Sequence, residues 1–243
     1  MADLRNYQSR AQTGEVIDQG LRAYMLKVYN LMALGLAITG LAAYFAFTFA
    51  VQDGQLTQFG NLLFQSPLRW VVILAPLAAV FFLSFRINRM SVAAAQTTFW
   101  VYAALVGLSL SSIFLIYTQS SITQTFFVTA ASFGALSLFG YTTKRDLSAM
   151  GSFLIMGLFG LIIASLVNIF LASSALQFAI SVIGVLIFAG LTAYDTQRIK
   201  EMYVEAEGSD IAGRKAIMGA LTLYLDFINL FMFLLQFMGN RRG

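Results

Sequence analysis

The chain reads as an all-α polytopic membrane protein with seven transmembrane helices and a cytoplasmic N-terminus. Three observations predict this. Hydrophobic residues make up 59% of the 243 positions and charged residues only 11%, where soluble domains carry about 25% charged residues. A helix needs about 20 apolar residues to span a bilayer, and seven runs of that kind lie near 25–50, 68–87, 93–118, 122–141, 150–172, 175–202 and 215–238. With the N-terminus inside, twelve of the fifteen Lys and Arg residues fall in cytoplasmic segments and three (Arg69, Arg241 and Arg242) on the opposite side, the asymmetry that orients membrane proteins.

Residues 1–24 are polar and mixed in charge, with Asp3, Arg5, Arg10, Glu15, Asp18 and Arg22, and read as an N-terminal cytoplasmic segment preceding a transmembrane domain over 25–243. The first apolar run begins too late and is too long for a cleavable signal peptide. It carries Asn30, expected to hydrogen-bond between helices, and Gly35 and Gly40, expected to let helices pack closely. The second span opens with Ser66-Pro67, read as an N-cap followed by proline at the first helical position. Pro76 inside it should kink the helix, and Arg86 ends it.

The third and fourth spans are separated only by residues around Gln119–Ser121, the fifth and sixth only by Ser173-Ser174. Gly157, Gly160 and Asn168 in the fifth are read as those in the first. The connection 203–214 is acidic at first (Glu205, Glu207, Asp210) and then basic. It reads as a solvated loop, with Gly208 and Gly213 expected to break it.

Two residues violate the pattern. Asp195 lies in the sixth span and Asp226 in the seventh, and a charge at membrane depth costs at least about 2.5 to 3.5 kcal/mol, which marks a functional candidate. The sixth span runs inward and the seventh returns, placing Asp195 roughly 10 Å and Asp226 roughly 16 Å from the inner face at 1.5 Å per residue. Helix tilt can remove the offset. Two facing carboxylates in low dielectric resist ionising together and share a proton. The expectation is a pH-dependent latch, protonated and bridged when closed, ionised and repelling when open.

Thr192 and Arg198 share Asp195's helical face by their three-residue spacing, and Thr222 and Asn229 share that of Asp226. Together with Tyr194 they are read as supporting polar residues. Arg86 ends the second span near the inner face, where it either pairs with the ionised acids or marks the boundary.

Gly190-Leu-Thr-Ala-Tyr-Asp-Thr-Gln-Arg-Ile199, a last span with Tyr224-Leu-Asp-Phe-Ile-Asn-Leu-Phe231, and Arg22-Ala-Tyr-Met-Leu-Lys-Val-Tyr29 at the entry to the first span resemble the transmembrane Bax inhibitor motif family. The resemblance covers nearly the whole chain. It implies a fold whose last helix is central, wrapped by the others. It also implies a slow, pH-sensitive calcium leak in which the acids matching Asp195 and Asp226 share a proton and an arginine of the second helix, here Arg86, helps set the gate. The second span carries no carboxylate and so adds no acidic calcium ligand. Calcium prefers six to eight oxygens, so Asp195 and Asp226 suit weak or transient binding of a transported ion, with no resident cofactor. The partners expected are the lipid bilayer and calcium, in a bacterial inner membrane.

Other classes fit less well. With neither Cys nor His in the chain, thiolate nucleophiles, disulfides and the commonest catalytic base are excluded. The basic residues form no tract, so nucleic acid is not a partner. An intramembrane aspartyl protease would also place two acids on consecutive spans, but Leu223-Tyr-Leu precedes Asp226 where those enzymes carry Gly-x-Gly, and the chain is read as not an enzyme. A retinal pump would need a lysine inside the seventh span for its Schiff base. The family resemblance also includes bacterial members that modulate a membrane-bound quality-control protease; contact through residues 2–20 is the alternative role.

Overall fold

The structure, a computed structural model, describes residues 2–242, with side chains from residue 19 onwards. Most of the N-terminal segment assigned to protease contact therefore lies outside the described side chains. Helix α1 (Ala2–Ala50) contributes the first membrane-length stretch, Gln19–Ala50. A two-residue hairpin follows, β1 (Val51–Gln52) against β2 (Gln55–Leu56), and then the short helix α2 (Gln58–Phe64). The long helices continue with α3 (Leu68–Arg86), α4 (Val92–Leu110), the single turn α5 (Ile113–Ile116), α6 (Gln119–Thr142), α7 (Ser148–Leu171), α8 (Ser174–Glu201) and α9 (Ser209–Met238). Seven stretches are long and apolar enough to cross a membrane, in agreement with the sequence count.

The boundaries have local causes. Thr57, Ser91, Thr118 and Ser173 each precede a helix, and each hydroxyl accepts the N–H three residues on, at 3.1, 3.2, 3.4 and 3.3 Å, satisfying donors that a helix start leaves unpaired. Asp53 and Gly54 turn the hairpin with φ of 51° and 75°, the left-handed pair a two-residue hairpin turn needs.

Several expectations are corrected. The seventh helix begins at Ser209, not near 215, so the connection is shorter than 203–214. Gly208 does stand at its break as the residue before α9, but Gly213 lies within the helix. A Cβ there would stand 2.9 Å from Val92, so Gly213 is where α9 meets the start of α4 and not a turn. The third span is interrupted at Ser111-Ser112 between α4 and α5. Pro67 is the residue before α3 and not its first helical position, while the Ser66 hydroxyl accepts from Leu68 N at 3.1 Å. Asn30 is exposed, so it is not an interhelical hydrogen-bond group. Asn168 is one: its amide donates to Gln177 of α8 at 3.1 Å. Gly35 meets the ring of Phe99 and Gly157 lies against Ile187, but Gly40 and Gly160 face nothing within 4 Å. Backbones instead meet at Gly140, whose Cβ would strike the Ala193 main chain, and at Gly107, whose Cβ would strike that of Thr39.

The core forms around α9. Ile217, Leu221, Leu223, Tyr224, Leu230 and Leu235 are all at most 2% exposed, and α9 packs against α1, α4, α6 and α8. The last helix is therefore central. By contrast, α3 buries only Leu83, and Phe85 and Phe170 stand 80% and 88% exposed. An apolar surface of that extent is compatible with lipid and not with water.

One end of the bundle is basic and knitted together. Gln197 donates to Arg145 O at 2.8 Å and accepts from Leu147 N at 2.9 Å. Lys200 reaches Tyr141 O at 2.8 Å, and Lys215 pairs with Glu207 at 2.6 Å. At the far end, Thr118 N donates to Asn240 O at 3.0 Å and Arg242 N to Ile116 O at 2.9 Å, tying the chain's end to the α5–α6 junction.

Candidate functional site

Helices α8 and α9 are consecutive, antiparallel and extensively packed, and this pairing brings the two acids together. Asp195 and Asp226 lie within hydrogen-bonding reach of each other. Asp226 is 4% exposed, and its Oδ2 is buried with no donor among the described residues. Two ionised carboxylates offer each other only acceptors, so the contact becomes a hydrogen bond when one of them carries a proton.

Both acids line a cavity of about 840 Å³ bounded by α3, α7, α8 and α9. Thr222 and Asn229 line it too, as the spacing predicted. Each bonds a carbonyl of its own helix, Met218 O at 3.0 Å and Leu225 O at 2.8 Å, which leaves their oxygens able to accept. Among the described residues Arg198 is the one cationic residue on its wall, near enough to act on Asp195. The remaining lining, including Leu77 and Phe81 of α3 and Phe188 and Phe233 across α8 and α9, is apolar apart from Ser165 of α7.

The other predicted residues stand apart. Thr192 is fully buried and donates to Phe188 O at 2.7 Å. Tyr194 turns towards α7, where a Cβ on Gly151 would fall within 2.5 Å of its ring. Arg86 is exposed at the end of α3 and is not part of the cavity wall. Its guanidinium has no hydrogen bond or ion pair among the described residues. Sequence reasoning missed Gln197, the clamp on the α6–α7 connection. Its signal was an amide two residues past Asp195, near the inner end of an apolar span.

Among the described residues no three acidic, His or Cys side chains come together as a metal site. The oxygen donors lining the cavity are the two carboxylates with Thr222, Asn229 and Ser165.

Residues 21–243 match the family described as Inhibitor of apoptosis-promoting Bax1. A protein of Rickettsia prowazekii is 50% identical over 242 residues, the full length of both chains. The inner membrane protein YbhL of Escherichia coli is 49% identical over 225 residues, 92% of this chain and 94% of its own. The protein YrjE of Lactococcus lactis is 39% identical over 225 residues, 92% of this chain and 93% of its own. With seven membrane-length helices and these relatives, the chain is a multi-pass integral protein of the inner membrane, and it belongs to the Bax inhibitor family that its Tyr194-Asp195 and Leu225-Asp226 segments resemble.

Proposed function

We propose that this protein is a passive calcium leak whose opening is set by the protonation of Asp195 and Asp226, with the basic end of the bundle in the cytoplasm. The observation that carries the reading is the pair itself: two carboxyls within hydrogen-bonding reach on the wall of an 840 Å³ cavity between membrane-length helices. The charged and titratable groups facing that space are Asp195, Asp226 and Arg198; α3 and α7 contribute none. One shared proton bridges the acids and holds α8 to α9. Its loss leaves two like charges in contact, a repulsion that low dielectric makes strong, and the freed oxygens become ligands for a passing divalent cation. Cytoplasmic placement of the basic end rests on the positive-inside asymmetry. A peptidase reading has less support, since Leu223-Tyr-Leu and not a glycine pair precedes Asp226.

The test is calcium flux into proteoliposomes measured from about pH 6 to about pH 8. Wild-type flux should rise with pH, and Asp195→Asn and Asp226→Asn should each flatten the profile. An unchanged profile in both variants would end the gating claim.

A further inference from the structure

Helices α1 and α6 both pack on the central helix α9 but scarcely on each other. Among the described residues one hydrogen bond joins them, between the hydroxyls of Tyr29 and Ser137 at 2.7 Å. The rest of the gap is a slot of about 660 Å³ whose walls include Met25, Met32, Phe133 and Leu138. Gly134 stands on its α6 side, and a Cβ there would meet nothing within 4 Å. From Arg22 to Met32 the slot runs about 15 Å along α1 at 1.5 Å per residue, half of a hydrocarbon core of about 30 Å. Its depth is therefore that of one leaflet. Arg22 lies at the basic end of the bundle, where Tyr24 packs against Tyr203 with ring centroids 5.6 Å apart.

The mouth of the slot is cationic. Arg22 is exposed on the α1 side. On the α6 side Lys200 donates to Tyr141 O at 2.8 Å, and its ammonium lies 5.7 Å from the centre of the Tyr141 ring. Among the described residues no carboxylate lines the slot. Deeper in, the walls are apolar except for Tyr29 and Ser137, which bond to each other. Such a surface offers water no set of partners. Methionines adapt to an irregular hydrocarbon chain, and close contact gains the dispersion energy that a void forfeits. A helix is about 10–12 Å across with its side chains, so none enters between two helices that the Tyr29–Ser137 bond holds together. A single extended chain does.

We propose that the slot between α1 and α6 binds an anionic phospholipid of the leaflet at the basic end, with one acyl chain against Met25, Met32 and Phe133 and the phosphate-bearing headgroup at Arg22, beside Lys200. Basic pockets between membrane helices gather anionic headgroups, and the absence of a carboxylate on this mouth leaves nothing to repel them. The site shares no residue with the carboxylate cavity, so it stands whatever passes through that cavity.

The test is native mass spectrometry of the purified, delipidated protein supplied with dioleoyl phosphatidylglycerol or dioleoyl phosphatidylcholine, which share their chains and differ in charge. The parent should retain the anionic lipid over the zwitterionic one by roughly fivefold or more, the factor that one basic residue near an anionic surface contributes. Arg22→Gln should remove most of that preference. Gly134→Leu and Leu138→Trp, which extend into the slot from its α6 wall, should each lose the retained lipid. Gly160→Leu should keep it, since a Cβ there also meets nothing within 4 Å but lies on α7, outside the slot. Elution of each purified variant as the parent does establishes that the bundle is intact.

Equal retention of the two lipids by the parent, or an undiminished preference in Arg22→Gln, overturns the headgroup assignment. Undiminished phosphatidylglycerol in whichever filled variant elutes as the parent overturns the site, as does loss of the lipid in Gly160→Leu as well. A parent that flies as a lipid-free dimer gives the face to a second copy and overturns it too. Arg22 is exposed, so its substitution decides the question even where neither filled variant folds.

Discussion

The hydroxyls of Tyr224 and Thr39 lie 2.6 Å apart in the middle of the bundle, and Thr39 also donates to Ala103 O at 2.8 Å. Tyr224 is completely buried and Thr39 is 4% exposed, so α1, α4 and the central helix are joined through one oxygen. Replacing Thr39 by valine leaves the buried phenol without a partner, a loss of about 1–3 kcal/mol for an orphaned buried group, and takes from Ala103 O the bond it accepts beyond its own helix. Tyr224→Phe removes the phenol and leaves the Thr39–Ala103 bond in place. Thr39→Val should therefore lower the thermal unfolding midpoint in detergent more than Tyr224→Phe; equal midpoints would show that the bond contributes little.

Asp146 precedes α7, and its Oδ1 accepts from Ser148 N at 2.8 Å. The hydroxyl and N–H of Ser148 hold this exposed carboxyl below its ordinary range. A depressed folded-state value means a contribution that is whole above the unfolded value, about 3.9, and lost as pH falls through the lower folded one. Asp146→Ala should thus be less heat-stable than wild type at neutral pH, and the gap should narrow as pH is taken below about 4. A gap that stays constant would assign the effect to something other than the ionised carboxylate.

Two arginines compete for the role of gate partner. The family resemblance points to Arg86 from the second helix, yet Arg198 lines the cavity beside Asp195 while Arg86 stands exposed at the end of α3. Arg198→Gln should move the midpoint of the pH–flux curve, and Arg86→Gln should leave it in place. The opposite result would mean that α3 swings towards the acids in another state of the bundle.

How far the sequence could be read depended on whether a signal was energetic or directional. Charge burial is costly regardless of orientation, so Asp195 and Asp226 stood out at once, and with them the three- and four-residue neighbours Thr222, Asn229 and Arg198. Span count was equally legible because apolar length is additive. Facing was not. A helix apolar on every side has no periodic stripe to orient it, which is why Tyr194 could not be seen to turn towards Gly151, nor Asn30 to face outward. Gly213 misled for a related reason. Taken alone it is a helix breaker, but against Val92 it is a contact, and no local rule distinguishes the two. The Asp53-Gly54 turn was in plain view as a left-handed pair, overshadowed by the long runs on either side.

The bundle's dependence on α9 has a consequence for biogenesis. The helix that every principal neighbour packs against is the last of the seven to leave the ribosome. Until it is inserted, α1 can pack on α4 and α6 on α8, but the faces that meet α9, including Thr39 with its bond to Tyr224, have only lipid or one another to meet. Helix pairs such as α1–α4 and α6–α8 can therefore form early, but the closed bundle cannot. It waits for one late insertion, and any chain released before that event presents the membrane with a ring that lacks its axle.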